Sequence, residues 1–569
     1  MKKDWHELVS QPKYEMKLEE DVWVPMRDDV RLLVDIYRPD AEGKFPALIS
    51  YSMYGKDAQK LPTNPKKFEP SDYIRGTGGH EAGMTDYFVP RGYVHIIPDA
   101  RGMGRSEGDP WIYYERDCYD LVEWAAQQPW CNGNVGMLGM SAFAEVQYAV
   151  AAMNPPHLKA IFPFEAETDE YRHEWYQGGI LGHHFELHLG KLCPAKVVSK
   201  PRSYSEFSPE ELREKIKELQ SNPDIRGCPY LYIITQVPEK HPSLFDALLH
   251  PYDGPFWEGL QYTRVLHKIK CPAYLASRWN GWAIHLAGAF DAYEKITTPK
   301  KLLITTTDNF GGFDRPWHEH HDIVLRWYDH WLKGIDTGIM NEPPISIFVQ
   351  GINQWRYENE WPLARTKWTK FYLREREGLS EIPPGPNERP QKFTNNPWAN
   401  PTEGFGTADE LRKADEIPRV KYATKPLKED VEVTGPIALY FCASISTNNT
   451  NWFIELKDID ADGSERLISM GWLRASRRGL DESKSKPYAP YYPHTKDLPI
   501  EPGKIYEYPV DVRMTSNVFR AGHRIQLEIA GQDRVRAIWY HLPNMIETEH
   551  IIYNDAQYPS YFLLPIIPK

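Results

Sequence analysis

The stretch from Gly133 to Met153 constrains this chain more than any other. An apolar run, Val135 to Leu138, ends at Gly139. Ser141 follows two residues later, and Ala142 to Met153 is alanine-rich and reads as a helix. A strand, a tight turn carrying a serine, then a helix is the context in which Gly-x-Ser forms a nucleophile elbow. Such a turn strains the serine backbone and lifts its hydroxyl above the end of a sheet. The helix N-terminus behind it favours negative charge on a reacting oxygen. An ordinary Gly-Met-Ser N-cap at any strand-to-helix join shares the tripeptide. Ala144 also stands where a glycine is expected, and Ala142 and Glu145 are unusual, so the surrounding chain has to decide.

Around this segment, strands alternate with helices. Val22–Leu32 and Val34–Pro39 read as a hairpin that turns at Arg27-Asp28-Asp29. Phe45–Tyr51 and Tyr93–Ile97 are buried strands, and Asp117–Gln127 is an amphipathic helix. That alternation predicts a doubly wound, mostly parallel sheet. The pattern loosens after Phe162 and resumes at Cys271–Ser277 and Lys301–Thr306. A closing helix runs from about His320 to Lys333. The intervening segment is irregular and rich in His, Tyr and Trp. Its helix over 208–222 opens with the cap signature Ser208-Pro209-Glu210-Glu211. It reads as a cap over the sheet, with Tyr171, Trp175, Tyr176, His183, His184 and His188 as an aromatic, histidine-rich pocket lining. From Pro343 onward, short alternating segments such as Ile345–Val349, Ile437–Phe441 and Arg524–Ile529 predict an all-β sandwich, a jelly roll. The expected class is therefore α/β, with three parts: an α/β-hydrolase domain over 1–162 and 267–340, a helical cap over 163–266, and a jelly-roll β-sandwich over 341–569.

Composition excludes several functions. Net charge is -12 with no long basic run, which argues against nucleic acid as a partner. No segment has the length of an uncharged membrane span, and Met1–Glu7 lacks the apolar core of a signal peptide. The six cysteines are scattered without CxxC pairs, which predicts free thiols in a reducing cytoplasm and no structural zinc. His318, His320, His321 and His330 cluster in or beside the closing helix. Without carboxylates at matching spacing they read as surface or core histidines rather than ligands. The glycines at 102, 104 and 108 read as a turn, so no cofactor is expected. The expected partner is a small-molecule substrate. A homodimer is compatible with a jelly-roll surface, but nothing demands one.

Taken together, the chain resembles the cocaine esterase/glutaryl acylase group of the X-Pro dipeptidyl-peptidase-like hydrolases. The motifs that carry this are Tyr54-Gly55-Lys56, Asp99-Ala100-Arg101-Gly102-x-Gly104-x-Ser106-x-Gly108 and Trp130-Cys131-Asn132-Gly133-Asn134-Val135-Gly136. Farther on come Trp355-Arg356, Trp361-Pro362, Asp458-Ile459-Asp460-x-Asp462-Gly463 and Ser516–Ile525. The resemblance implies Ser141 as nucleophile, with an oxyanion hole made by the Tyr54 hydroxyl and the backbone N–H of Ala142. It also implies an Asp after the next-to-last parallel strand and a His after the last. This chain has Arg278-Trp279-Asn280-Gly281-Trp282-Ala283 at the first place and Thr305-Thr306-Thr307-Asp308-Asn309 at the second, so both triad partners look substituted.

Two readings follow. In the first, the chain is a serine hydrolase of esters or amides whose base is relocated to His318 or His285. In the second, it is a repurposed scaffold for a lyase, cyclase or isomerase reaction on a small metabolite. There Ser141 and Tyr54 polarise a carbonyl with help from Glu145 or Asp308, and the aromatic cap favours such a substrate. A catalytically dead binding protein is disfavoured by the retention of Ser141 and Tyr54.

Overall fold

The computed structural model describes residues 5–60, 81–110, 114–183, 200–281, 284–306, 317–397, 417–533 and 541–569. Its first half is built on a ten-stranded sheet. The strands are β1 (Met16–Pro25), β2 (Arg31–Pro39), β3 (Phe45–Ile49), β4 (Val94–Pro98), β5 (Cys131–Met140), β6 (Leu158–Phe164), β7 (Ala273–Arg278), β8 (Lys300–Thr305), β9 (Ile345–Val349) and β10 (Gln354–Glu358). Their spatial order is β1-β2-β4-β3-β5-β6-β7-β8-β9-β10. Every pairing from β4–β3 through β8–β9 is parallel. Strands in such a sheet are covered on both faces, which is why Ala47–Ile49 and Ile161–Phe164 read as unbroken apolar runs.

The longer helices are α1 (Tyr114–Ala126), α2 (Ala142–Met153), α3 (Pro209–Ser221), α4 (Pro229–Gln236), α5 (Pro242–Leu249), α6 (Leu286–Lys295) and α7 (Trp317–Lys333). Apolar residues of α1, α2 and α6, among them Leu121, Val146 and Phe290, share one buried cluster with Ile49, Val135 and Met137. Val324, Trp327 and Tyr328 of α7 pack with Leu48, Leu138 and Phe162 on the other face. The closing helix thus begins a turn earlier than its apolar spacing predicts.

Helices α3, α4 and α5 lie in the segment read as a cap, and each begins with a proline that presets the first helical φ. Ser208 and Glu211 close the expected capping box on α3. Three of the aromatic side chains read from the sequence as pocket lining pack in a separate buried cluster. Tyr171, Trp175 and Tyr176 are buried with Trp257 and Leu244 in the cap's own core. The Tyr171 hydroxyl donates to the Pro251 carbonyl at 3.0 Å and that of Tyr176 to the Ala247 carbonyl at 2.8 Å. His184 and His188 lie outside the described residues.

The C-terminal part is one eleven-stranded sheet wrapped on itself, closed by a pairing of Val431–Ile445 with Tyr561–Ile567. Its core includes Leu439, Trp452, Tyr508 and Phe562. Two strands of the range expected there lie elsewhere. Ile345–Val349 alternates like a sandwich strand, yet pairs in parallel with β8, and Gln354–Glu358 pairs with its other edge to end the first sheet. The alternation in β9 arises because that strand is covered only partly on one face. The Asp458–Gly463 motif is the turn of a hairpin in this domain. Asp458 and Asp460 lie 2.9 and 3.2 Å from the two ring nitrogens of His523.

Two fully buried histidines sit in the two cores. His95 of β4 has Ser50 Oγ at 2.8 Å from Nε2 and Thr85 Oγ1 at 2.9 Å from Nδ1. His550 has Thr450 Oγ1 at 2.8 Å from Nε2. Burial pushes both imidazoles down to about 3, so the folded chain holds them neutral. Above pH 6.5 neither state binds the proton and nothing is gained or lost. As pH falls through 6.5 the unfolded chain takes up protons that the folded chain refuses, and stability declines. We expect unfolding free energy to fall between pH 7 and pH 5 by about 2 kcal/mol for each of these histidines. Urea titrations of the wild type and of His550→Gln check this: the variant should lose less stability over that interval.

Candidate active site

Ser141 lies between β5 and α2 at φ 57 and ψ −123, a backbone conformation that side chains other than glycine rarely adopt. Three hydrogen bonds fix it there. Its N–H donates to the Phe164 carbonyl at 3.0 Å, and its carbonyl accepts from Ala144 at 2.7 Å and Glu145 at 3.0 Å. Gly139 makes the turn possible, because a Cβ on it would stand 2.1 Å from that of Phe143, at φ +147. Ala142 is the first residue of α2, so its N–H belongs to the group that a helix leaves without an internal acceptor. The elbow expected from the sequence is present, and strain concentrated at one serine is the usual mark of a functional position.

Tyr54 is half-buried in the loop after β3, with its ring centroid 6.1 Å from that of Phe143, two residues past Ser141. Ser52 Oγ accepts from its backbone N–H at 3.2 Å.

Of the two histidines expected as a base, His285 approaches the serine. It is the N-cap of α6 in the crevice beyond β7, and its Nε2 lies 3.3 Å from Ser141 Oγ. His318 is the second residue of α7, but its side chain, like Asp308, lies outside the described residues. Glu145 is half-buried one turn into α2.

A carboxylate that sequence reasoning missed completes the group. Glu165 directly follows β6, fully buried, at φ 53. Its Oε2 lies 3.7 Å from His285 Nδ1. That is a Coulombic contact, longer than a hydrogen bond. The tighter partner is Arg278 at the end of β7. Its guanidinium forks onto both oxygens of Glu165, with Nη2 at 2.6 Å from Oε2 and Nε bonded to Oε1. Arg278 is the last residue of the strand after which the resemblance places an Asp. It holds the relocated carboxylate instead of being one. Serine, carboxylate and imidazole therefore follow β5, β6 and β7, with the two partners each one strand earlier than the resemblance implies. Along the chain they run Ser, Glu, His, the order usual on this fold.

The sequence of residues 28–308 matches the family described as X-Pro dipeptidyl-peptidase (S15 family), and that of 337–563 its C-terminal non-catalytic domain. The chain belongs to this hydrolase family. It is 28% identical to the cocaine esterase of a Rhodococcus strain, over 96% of this chain and 98% of that one. Among solved structures, a CocE/NonD family hydrolase from Staphylococcus aureus shares the fold with a TM-score of 0.76, at 22% identity and covering 97% and 94% of the two chains. An α-amino acid ester hydrolase does so with a TM-score of 0.74, at 18% identity and 97% coverage of both. Family membership makes the chain a serine hydrolase with an α/β-hydrolase domain and an all-β C-terminal domain. No described helix is long and apolar enough to cross a membrane.

The elbow yields a prediction of its own. Gly139→Ala forces Phe143 and the start of α2 to move, so the folded state should lose about 3 kcal/mol or more. Thermal unfolding compared with wild type measures this. An unchanged melting temperature would mean the turn is not held as described.

Proposed function

We propose that this chain hydrolyses an ester or amide of a small molecule, with Ser141 as nucleophile, His285 as general base and Glu165 as the carboxylate that supports it. The observation that carries the reading is the 3.3 Å approach of His285 Nε2 to Ser141 Oγ. Nucleophile–base contacts often run this long before substrate binds and shorten in the complex. His285 Nε2 takes the hydroxyl proton as Oγ attacks the carbonyl carbon. The oxyanion that forms accepts from the Ala142 N–H and the Tyr54 hydroxyl, two donors each worth a few kcal/mol in the transition state. Collapse expels the alcohol or amine, which takes its proton from His285. A water, activated by the same imidazole, then releases the acid and restores the serine.

Glu165 acts on His285 through charge, held in place by Arg278 rather than by the imidazole itself. The name of the Rhodococcus relative supports ester substrates. The alternative, a non-hydrolytic reaction, is motivated by the substituted Asp and His positions and by the aromatic residues of the cap segment. An imidazole beside Ser141, and the packing of Tyr171, Trp175 and Tyr176 in a core of their own, favour hydrolysis over that alternative. A cytoplasmic setting belongs to the same proposal, supported by five described cysteines that are all free thiols.

A fluorophosphonate probe followed by mass spectrometry should modify the peptide carrying Ser141 stoichiometrically. With p-nitrophenyl esters, Ser141→Ala and His285→Ala should each lose at least about 10⁴-fold in kcat. Glu165→Gln should lose on the order of 10²–10⁴-fold. Full activity in Ser141→Ala would sink the proposal. Full activity in His285→Ala would move the base to another residue.

A further inference from the structure

Lys56 belongs to the Tyr54-Gly55-Lys56 motif, and its side chain is fully buried. Lysine is among the residues least often found so deep without carboxylate partners. Here three oxygens surround Nζ: Asp21 Oδ1 at 2.8 Å, Asp35 Oδ1 at 3.0 Å and Asp57 Oδ1 at 3.2 Å. Asp35, on β2, is itself fully buried and also accepts from the Asp21 N–H at 3.1 Å.

Asp21 reaches this point only because β1 breaks its register between Glu19 and Val22, with Asp21 at φ 58 in the irregular step. A bulge of this kind re-aims a side chain at the cost of ladder hydrogen bonds. The second motif closes the circuit. Asp99 accepts the Lys56 backbone N–H at 3.0 Å on Oδ1 and that of Arg105 at 3.2 Å on Oδ2. The Arg105 guanidinium returns to Asp21, with its two terminal nitrogens at 2.7 and 2.6 Å from the carboxylate. Gly104 admits the Asp99 carboxylate, since a Cβ there would lie 2.2 Å from Oδ2. Lys56, Asp21, Arg105 and Asp99 thus form a closed ring, bonded through side chains on one side and backbone N–H groups on the other.

We infer that this ring is a positioning device for the Tyr54 hydroxyl, with Lys56 its central positioning residue. The inference rests on Tyr54 being an oxyanion donor. For stability alone the ring is a poor choice, because desolvating a lysine costs several kcal/mol and a well-packed apolar side chain often serves as well. What three carboxylates around one ammonium provide is a fixed direction. Asp21 and Asp35 pin the residue two positions beyond Tyr54 to the β1–β2 hairpin, and Asp99 pins its backbone to the turn after β4. With that anchor two residues on and the Phe143 ring beside it, Tyr54 has less freedom to lose when its hydroxyl donates in the transition state.

Steady-state kinetics of ester hydrolysis by the full chain test this, using Lys56→Met, Lys56→Arg, Asp21→Asn, Tyr54→Phe and the double variant Tyr54→Phe/Lys56→Met. Tyr54→Phe should lose about 10²–10³-fold in kcat, as removal of one oxyanion donor does elsewhere. Lys56→Met should lose about 10–100-fold in kcat with KM within about threefold of wild type, because the ring acts on the transition state and not on substrate binding. Lys56→Arg should recover part of the loss. The double variant should be no slower than Tyr54→Phe alone, a non-additivity that a purely structural lysine would not produce. Losses that multiply, or a folded Lys56→Met with unchanged kcat, overturn the inference while leaving the hydrolase reading intact. An unchanged kcat in Tyr54→Phe removes the oxyanion assignment and the inference with it. If Lys56→Met does not fold, Asp21→Asn, at a partly exposed position, carries the same comparison against Tyr54→Phe.

Discussion

The register between β5 and β6 sets the rest of the site. These neighbouring parallel strands run side by side to their ends, with Met140 opposite Phe164. The next residue on each, Ser141 and Glu165, therefore emerges at the same height, and both turn away from the sheet at positive φ. One hydrogen bond, from the Ser141 N–H to the Phe164 carbonyl, ties the two exits together. Phe164 is also level with Ala276 of β7, which brings Arg278 up beside Glu165 two residues later. A serine, a carboxylate and a guanidinium are thus placed by backbone pairing alone, before any side chain is chosen. Open α/β sheets gather their chemistry at the carboxyl ends of the strands for this reason.

Charge burial then determines which of these neighbours bond. Glu165 is fully enclosed, and a lone carboxylate there would be expensive. Arg278 answers that need with a forked pair, a geometry that fits a carboxylate better than an ammonium does. His285 approaches the remaining side of the same carboxylate. The guanidinium thus orients the carboxylate, and the imidazole lies within Coulombic reach of it. The Lys56 ring solves a related problem two residues beyond Tyr54, with the signs reversed.

Much of this was legible in the sequence. The elbow showed because a strand apolar on both faces, two small residues and an alanine-rich helix occur consecutively at 135–153. The α/β, cap and all-β order showed because each has its own hydrophobic period. His285 was visible as the histidine nearest the end of a sheet strand. Glu165 was not, because its partnership with Ser141 depends on strand register across a helix. The one available signal was Phe162-Pro163-Phe164-Glu165, a buried strand ending abruptly in a charge. The cap aromatics misled because composition does not distinguish a pocket wall from a small core. Ile345–Val349 misled because a strand near a sheet's edge alternates like a sandwich strand.

That misplaced strand also says how the two halves are joined. β9 runs directly into Gln350, whose backbone exchanges hydrogen bonds with Ser516 and Val518 of the C-terminal sheet. Behind it the indole of Trp279, from the crevice loop after β7, donates to the Phe348 carbonyl at 2.6 Å. The polypeptide therefore has no neutral seam near residue 340. Severing it there would strip β8 of its neighbour and leave a row of bare amide and carbonyl groups, an invitation to intermolecular pairing. The β-domain, non-catalytic by descent, is in this respect a selvedge for the catalytic sheet, the finished border that keeps its last strands from unravelling.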